Sequence, residues 1–91
     1  MQAMELADVD LNLLVVFHRL LQTRQVSRAA QELQLSQPAV SNALRRLRQL
    51  LGDELFVRTP TGMRPTPYAE QLAVPVAQAL EALHAALNVR A

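Results

Sequence analysis

Between Ser36 and Leu51 the apolar and polar positions separate onto two sides of one helix. Val40, Leu44, Leu47 and Leu51 stand at i, i+4, i+7 and i+11, a narrow arc at about 100° per residue. Gln37, Ser41, Asn42, Arg45, Arg48 and Gln49 occupy the facing arc, with no acid among them. One side is patterned for burial. The other offers amides and hydroxyls in its first turns and guanidinium groups later, an order that suits a nucleic acid groove. Ser36 is the expected N-cap, Pro38 fits the first turn where its missing N–H costs nothing, and Gly52 is the expected stop.

The flanking patterns predict the elements that hold this helix. Met1–Val9 reads as an irregular arm. Asp10 is a capping residue, and Leu11–Leu21 is apolar except at Asn12, His18 and Arg19. That predicts a first helix over residues 11–23, apolar round most of its circumference and therefore covered on more than one side. Ser27 is the expected cap of a second helix over 28–34, with Ala29, Ala30 and Leu33 on its buried side. Two short helices joined by the tight Gln34–Leu35 connection form a helix-turn-helix unit. Leu55–Arg58 reads as a short strand, Thr59–Met63 as a turn, and Arg64–Pro65 as the return. The pair makes a small wing with Arg58 and Arg64 on its two arms.

Thr66 and Pro67 open a last helix that runs to about residue 88. Ala73, Val76, Leu80, Leu83 and Leu87 repeat at alternating spacings of three and four, a seam of about two heptads that predicts dimerisation. Pro75 lies inside this helix and is expected to bend it near Gln71–Pro75. The fold class expected is all-α with a small β-wing. Residues 1–65 form a winged helix-turn-helix domain and residues 66–91 a linker, or dimerisation, helix.

Composition narrows the class. The chain has 91 residues, half of them hydrophobic, but only Phe17, Phe56 and Tyr68 are aromatic. The core is therefore Leu, Val and Ala, which favours helices. Cysteine is absent, so no disulfide or thiolate metal site forms. No apolar run approaches the roughly 18 residues of a membrane span, and the acidic first ten residues do not read as a signal or transit peptide. The chain is expected to be cytoplasmic and not membrane-bound. Net charge is only +1, yet residues 11–64 carry eight arginines against three acids. All nine bases are Arg, the residue suited to bidentate phosphate and guanine contacts. This is the footprint of an anionic polymer partner or, taken by itself, of a solvated basic surface.

With these residues placed, the chain resembles the N-terminal DNA-binding domain of LysR-type transcriptional regulators. The resemblance spans residues 8–87. It rests on Asp10-Leu11-Asn12-Leu13-Leu14, Val26-Ser27-Arg28-Ala29-Ala30, and Leu35-Ser36-Gln37-Pro38-Ala39-Val40-Ser41. It continues through Leu51-Gly52-Asp53-Glu54-Leu55-Phe56-Val57-Arg58 and Arg64-Pro65-Thr66-Pro67. Five pieces in this order and at these intervals are specific. The opening helix and the wing look closest to regulators of nodulation and of aromatic-compound degradation. The resemblance implies a winged helix-turn-helix, a dimerising linker helix, and a larger C-terminal domain that senses a small-molecule inducer. The sequence stops where that domain would start, so any inducer site is expected outside it. A tetramer is open to a full-length parent.

Roles follow residue by residue. Gln37 is the first base-reading candidate, its amide matched to adenine N6/N7, although it could instead satisfy free amides at the helix start. Pro38 and Ala39 offer apolar contact to a thymine methyl or simply start the helix. Ser41 and Asn42 lie one turn on. Many family members carry Arg at the position of Asn42, which favours guanine; Asn favours adenine. Ser27, Arg28, Ser36, Arg45, Arg46, Arg48, Arg58, Thr61 and Arg64 are the candidates for the phosphate backbone, the wing arginines also for an adjacent minor groove. Arg45, Arg46 and Arg48 could instead form surface ion pairs, and Arg58 one with Asp53 or Glu54. His18 and His84 are lone histidines, and no catalytic set, metal cluster or Gly-rich phosphate loop is present, so neither an enzyme nor a cofactor is expected. The leading reading is sequence-specific binding of an inverted-repeat site in double-stranded DNA by a homodimer. The alternative is a helical protein-interaction module that does not bind DNA.

Overall fold

The computed structural model describes residues 4–90. Of the N-terminal arm, residues 1–3 lie outside the described residues, and Leu6–Asp8 is not irregular but a single 3-10 turn. It is closed by Asp8 N–H donating to the Glu5 carbonyl and Val9 N–H to that of Leu6. Helix α1 (Leu11–Thr23) begins at Asp10, whose carboxylate accepts from Asn12 N–H at 3.0 Å. It ends on Arg24 in the left-handed conformation. Its buried residues are Leu13, Val16, Phe17 and Leu20, with Leu14 and Leu21 packed at the edge.

Helix α2 (Val26–Leu33) starts two residues earlier than the Ser27 cap predicts. Gln25 is the N-cap and makes no side-chain cap bond. The cause lies upstream. The Thr23 hydroxyl donates to the carbonyl of its own helix at Arg19 and accepts from Gln25 N–H, so the chain has already turned at Arg24–Gln25. Ser27 falls in the first turn instead. Ala29 and Ala30 are fully buried, as expected of small residues where two helices approach closely.

Gln34, left-handed, makes the turn into α3 (Gln37–Leu51). Ser36 caps it, its hydroxyl accepting from Ala39 N–H at 3.1 Å, and Gly52 closes it at φ +66°. Val40, Ala43, Leu44 and Leu47 are buried, so the apolar arc is as expected but includes Ala43, and Leu51 sits at its edge.

The wing is tighter than the sequence indicates. Strand β1 (Phe56–Thr59) pairs antiparallel with β2 (Gly62–Pro65), with Thr59 opposite Gly62, which leaves only Pro60 and Thr61 as the turn. The hairpin is docked at its tip: Met63 N–H donates to the Arg24 carbonyl at 2.7 Å. A Cβ on Gly62 would lie 2.5 Å from that same carbonyl oxygen, and Gly62 stands at φ +141°. The α1–α2 turn and the wing therefore meet backbone to backbone.

The root of the wing is tied to helix α4 (Pro67–Leu87). Asp53 Oδ1 accepts from Leu55 N–H at 2.7 Å and from the Thr66 hydroxyl at 2.8 Å. The Thr66 oxygen in turn accepts from Ala69 N–H and caps α4. The helix runs through Pro75 without interruption. Its N-terminal part packs on the domain through buried Ala69 and through Leu72 and Val76 at the edge of the core.

These contacts set the cost of three substitutions. Gly62→Ala should destabilise by about 2 kcal/mol or more, lowering the thermal midpoint by roughly 10 °C. Ser36→Ala should cost about 1 kcal/mol in urea denaturation for the lost cap, and Thr66→Ala about twice that, because it also strands the Asp53 contact.

Candidate nucleic-acid interface

The first turns of α2 and α3 and the wing tip surround one open cleft of about 410 Å³. Five of the residues singled out from the sequence line it: Ser27, Gln37, Ser41, Arg58 and Thr61. Each is exposed. The sequence places them in three separate segments; the 2.7 Å bond between Met63 and Arg24 is what brings the wing to the two helix starts.

Gln37 and Pro38 occupy the first turn of α3 and are exposed, while Ala39 is half-buried. Ser41 and Asn42 are exposed one turn on. The Asn42 carbonyl oxygen accepts from the Arg45 guanidinium, so these two side chains act as one polar unit on the open face. Ser36 is engaged as the cap, with its hydroxyl proton left to donate.

The arginines divide into distinct groups. Arg28 lies 3.3 Å from Glu32, which also binds Arg19 at 3.0 Å and so ties α1 to α2. Arg46 faces Asp10 at 3.7 Å. These are exposed pairs, worth little in water and open to exchange for a phosphate. Arg48 is different. Its Nε donates to the Glu54 carbonyl at 2.7 Å and its Nη2 to the Phe56 carbonyl at 2.9 Å. Arg48 thus grips the root of the wing, because the helix ends one turn later and the chain doubles back past it.

Arg58 pairs with neither Asp53 nor Glu54, the two partners considered from the sequence: Asp53 is occupied by Leu55 and Thr66, and Glu54 lies 3.7 Å from Arg48. Among the described residues neither Arg58 nor Arg64 has an ion-pair partner. Register sets their directions. Arg58 is opposite buried Met63, on the hairpin face that carries Phe56, and lines the cleft. Arg64 is opposite exposed Val57, on the other face, beside a second hollow that Arg24 also lines. Arg24 and Gln25 were not singled out from the sequence. The signal was there: two long polar side chains in a four-residue connection between helices.

The linker seam divides. Val76 is packed at the edge of the domain's own core, and Ala73 is half-buried. Leu80, Leu83 and Leu87 line an open apolar groove of about 820 Å³ between α4 and the Leu11, Val15 and His18 side of α1. Leu83 is 44% exposed and Leu87 84%. Among the described residues no helix is long and apolar enough to cross a membrane.

Comparison with known proteins agrees with this arrangement. Residues 11–70 match the model of the bacterial regulatory helix-turn-helix proteins of the lysR family. The chain is 64% identical over 85 residues to the HTH-type transcriptional activator NahR of Pseudomonas putida, covering 93% of this chain and 28% of that protein. It superposes on the probable transcriptional regulator PA0477 from Pseudomonas aeruginosa with a TM-score of 0.87 at 54% identity, over 90% of this chain and 28% of that one. The BenM DNA-binding domain in complex with catB site 1 DNA shares the fold, with a TM-score of 0.81 at 22% identity over 87% of this chain and 89% of that one. The chain thus spans less than a third of NahR and of PA0477. It belongs to the LysR family of bacterial regulatory helix-turn-helix proteins.

Proposed function

We propose that this chain is the DNA-binding part of a LysR-type transcriptional regulator and binds double-stranded DNA sequence-specifically as a homodimer. The observation that carries this is the cleft where the start of α3 meets the wing. It gathers hydroxyl, amide and guanidinium groups with no acid among its lining residues. The exposed face of α3 enters the major groove, with Gln37, Ser41 and Asn42 toward base edges and Pro38 and Ala39 toward thymine methyls. Ser27, Arg28, Ser36, Arg45, Arg46, Thr61 and the wing arginines Arg58 and Arg64 hold the backbone or the adjacent minor groove. Residues 1–65 serve as the DNA-binding unit and 66–91 as the linker. On this reading the protein works at the chromosome, in the cytoplasm, and without catalysis.

The dimer reading is supported by the α1–α4 groove. Leucines at 80, 83 and 87 continue a heptad pattern past the point where the domain's own core can cover them. A second copy is the occupant that supplies the same stripe in return.

Selection from a random duplex library should yield an inverted repeat, with half-sites whole helical turns apart. Enrichment of no sequence over scrambled duplex overturns the reading. Gln37→Ala should keep the fold, because the side chain is exposed, and reduce discrimination at one base position by about 1–3 kcal/mol. Arg64→Ala should weaken all sequences alike and reduce the salt slope by about one. Retention on heparin or mixed DNA that does not fall with salt favours a protein-binding module instead. Light scattering at tens of micromolar should show a dimer, and Leu83→Arg a monomer with an unchanged winged domain. A wild-type monomer overturns the dimer reading.

A further inference from the structure

We infer that Arg48 is a positioning residue for the wing in DNA binding, rather than one of the groups that touch phosphate. The inference rests on the DNA-binding reading and deepens it. Arg48 reaches from the last turn of α3 to two carbonyls of the wing root, that of Glu54 at 2.7 Å and that of Phe56 at 2.9 Å. The Glu54 carboxylate lies 3.7 Å from its Nε. These contacts bracket Leu55, a fully buried residue held at φ +65°. A branched side chain in that left-handed region is strained, and it persists only where the surroundings over-determine it. They do so here. Leu55 N–H is bound by Asp53, its carbonyl accepts from Thr66 N–H at 2.9 Å, and Arg48 fixes the residue on each side.

The consequence is geometric. Phe56 is the first residue of β1, and Arg58 follows two positions later on the same face. The angle at which β1 leaves the recognition helix sets where the Arg58 guanidinium reaches over the cleft. The planar fork of Arg presents Nε and Nη2 to the two carbonyls in a fixed geometry, which the single nitrogen of an ammonium on a flexible stem does not reproduce. Arg48 therefore transmits the position of α3 to the wing, and a duplex seated on α3 meets Arg58 at a fixed height.

The test is a double-mutant cycle between Arg48 and Arg58, read by anisotropy on a duplex of mixed sequence across a salt series. The variants are Arg48→Met, Arg48→Lys, Arg58→Ala and the two doubles, with melting midpoints recorded for each. Positioning predicts that Arg48→Met and Arg48→Lys both weaken binding by roughly tenfold and reduce the salt slope by about one, the share belonging to Arg58. Adding Arg58→Ala should then change affinity less than about twofold, although Arg58→Ala alone costs roughly tenfold. Amide exchange should rise in the 56–65 hairpin and stay unchanged in α1–α3. If Arg48→Met unfolds the domain, Arg48→Lys keeps the stem and charge and carries the cycle. The proposal is overturned if Arg48→Lys binds like wild type, or if the losses multiply and the slope falls with each mutation, as for two independent phosphate contacts. It is equally overturned if only the melting midpoint moves. Wild-type protein that binds no duplex would overturn the DNA reading itself, a distinct outcome.

Discussion

Everything in this domain depends on burying one narrow stripe of α3 while leaving the rest of that helix uncovered. Val40, Ala43, Leu44 and Leu47 are the stripe, and Val40 and Leu47 have no exposed surface at all. A helix covered on one side only must be gripped firmly there. The grip comes from α1, whose Phe17 and Leu20 are as fully buried, and from the wing root, whose Phe56 ring stands 5.7 Å from that of Phe17 at 55°. That tilted pair is the only aromatic contact among the described residues. It locks the wing root to the first helix, and α3 is held by the same core. Alanines at 29 and 30 let α2 approach closely enough to close the third side.

Above this apolar layer lies a second, polar one that sets angles rather than supplying cohesion. Arg48, Asp53, Leu55 and Thr66 form a continuous series of hydrogen bonds from the end of α3, through the wing root, to the cap of α4. A buried strained residue at its centre is tolerable because both of its backbone groups are satisfied. At the far end the wing tip is pinned by the Arg24 carbonyl, where only glycine fits opposite. The hairpin is thus fixed at root and tip. Its strands are four residues each, too short to be stable alone. The arginines sort along the same lines: those on the helices find partners within the domain, and the two on the wing have none among the described residues.

The helices were legible in the sequence because their signals are local. The boundaries of α1, α3 and α4 follow from Asp10, Ser36 with Pro38, Gly52, and Thr66 with Pro67, each a residue acting within one turn of its own position. The α2 start was misread because Ser27 is the better capping residue. The turn is decided instead by Thr23, four residues back and belonging to another helix. The candidate site shows the same division. Periodicity identified the exposed face of α3, but nothing in a one-dimensional pattern separates Arg45 from Arg48. Both lie on the polar arc, and only the return of the chain through Glu54–Phe56 gives Arg48 its acceptors. Likewise Arg58 and Arg64 sit six residues apart, and their opposite faces appear only once the pairing register is known.

The linker helix illustrates how one heptad pattern can serve two purposes. Its first half is consumed within the chain: Ala69 is fully buried, and Leu72 and Val76 lie against the core. Its second half runs past the domain's own core, and with it the described residues extend 48 Å along their longest axis. From Leu80 onward the apolar positions face a groove whose opposite wall, Leu11 and Val15, is itself more than a third exposed. Two apolar walls that do not close on each other leave surface that monomeric domains ordinarily avoid. The seam read from spacing alone assigns all five positions to one interface. Packing divides them, so that docking of α4 on its own domain fixes the direction in which Leu80, Leu83 and Leu87 are presented. In a homodimer joined through that groove, the separation of the two α3 helices is then set by the same Asp53–Thr66 junction that anchors the wing.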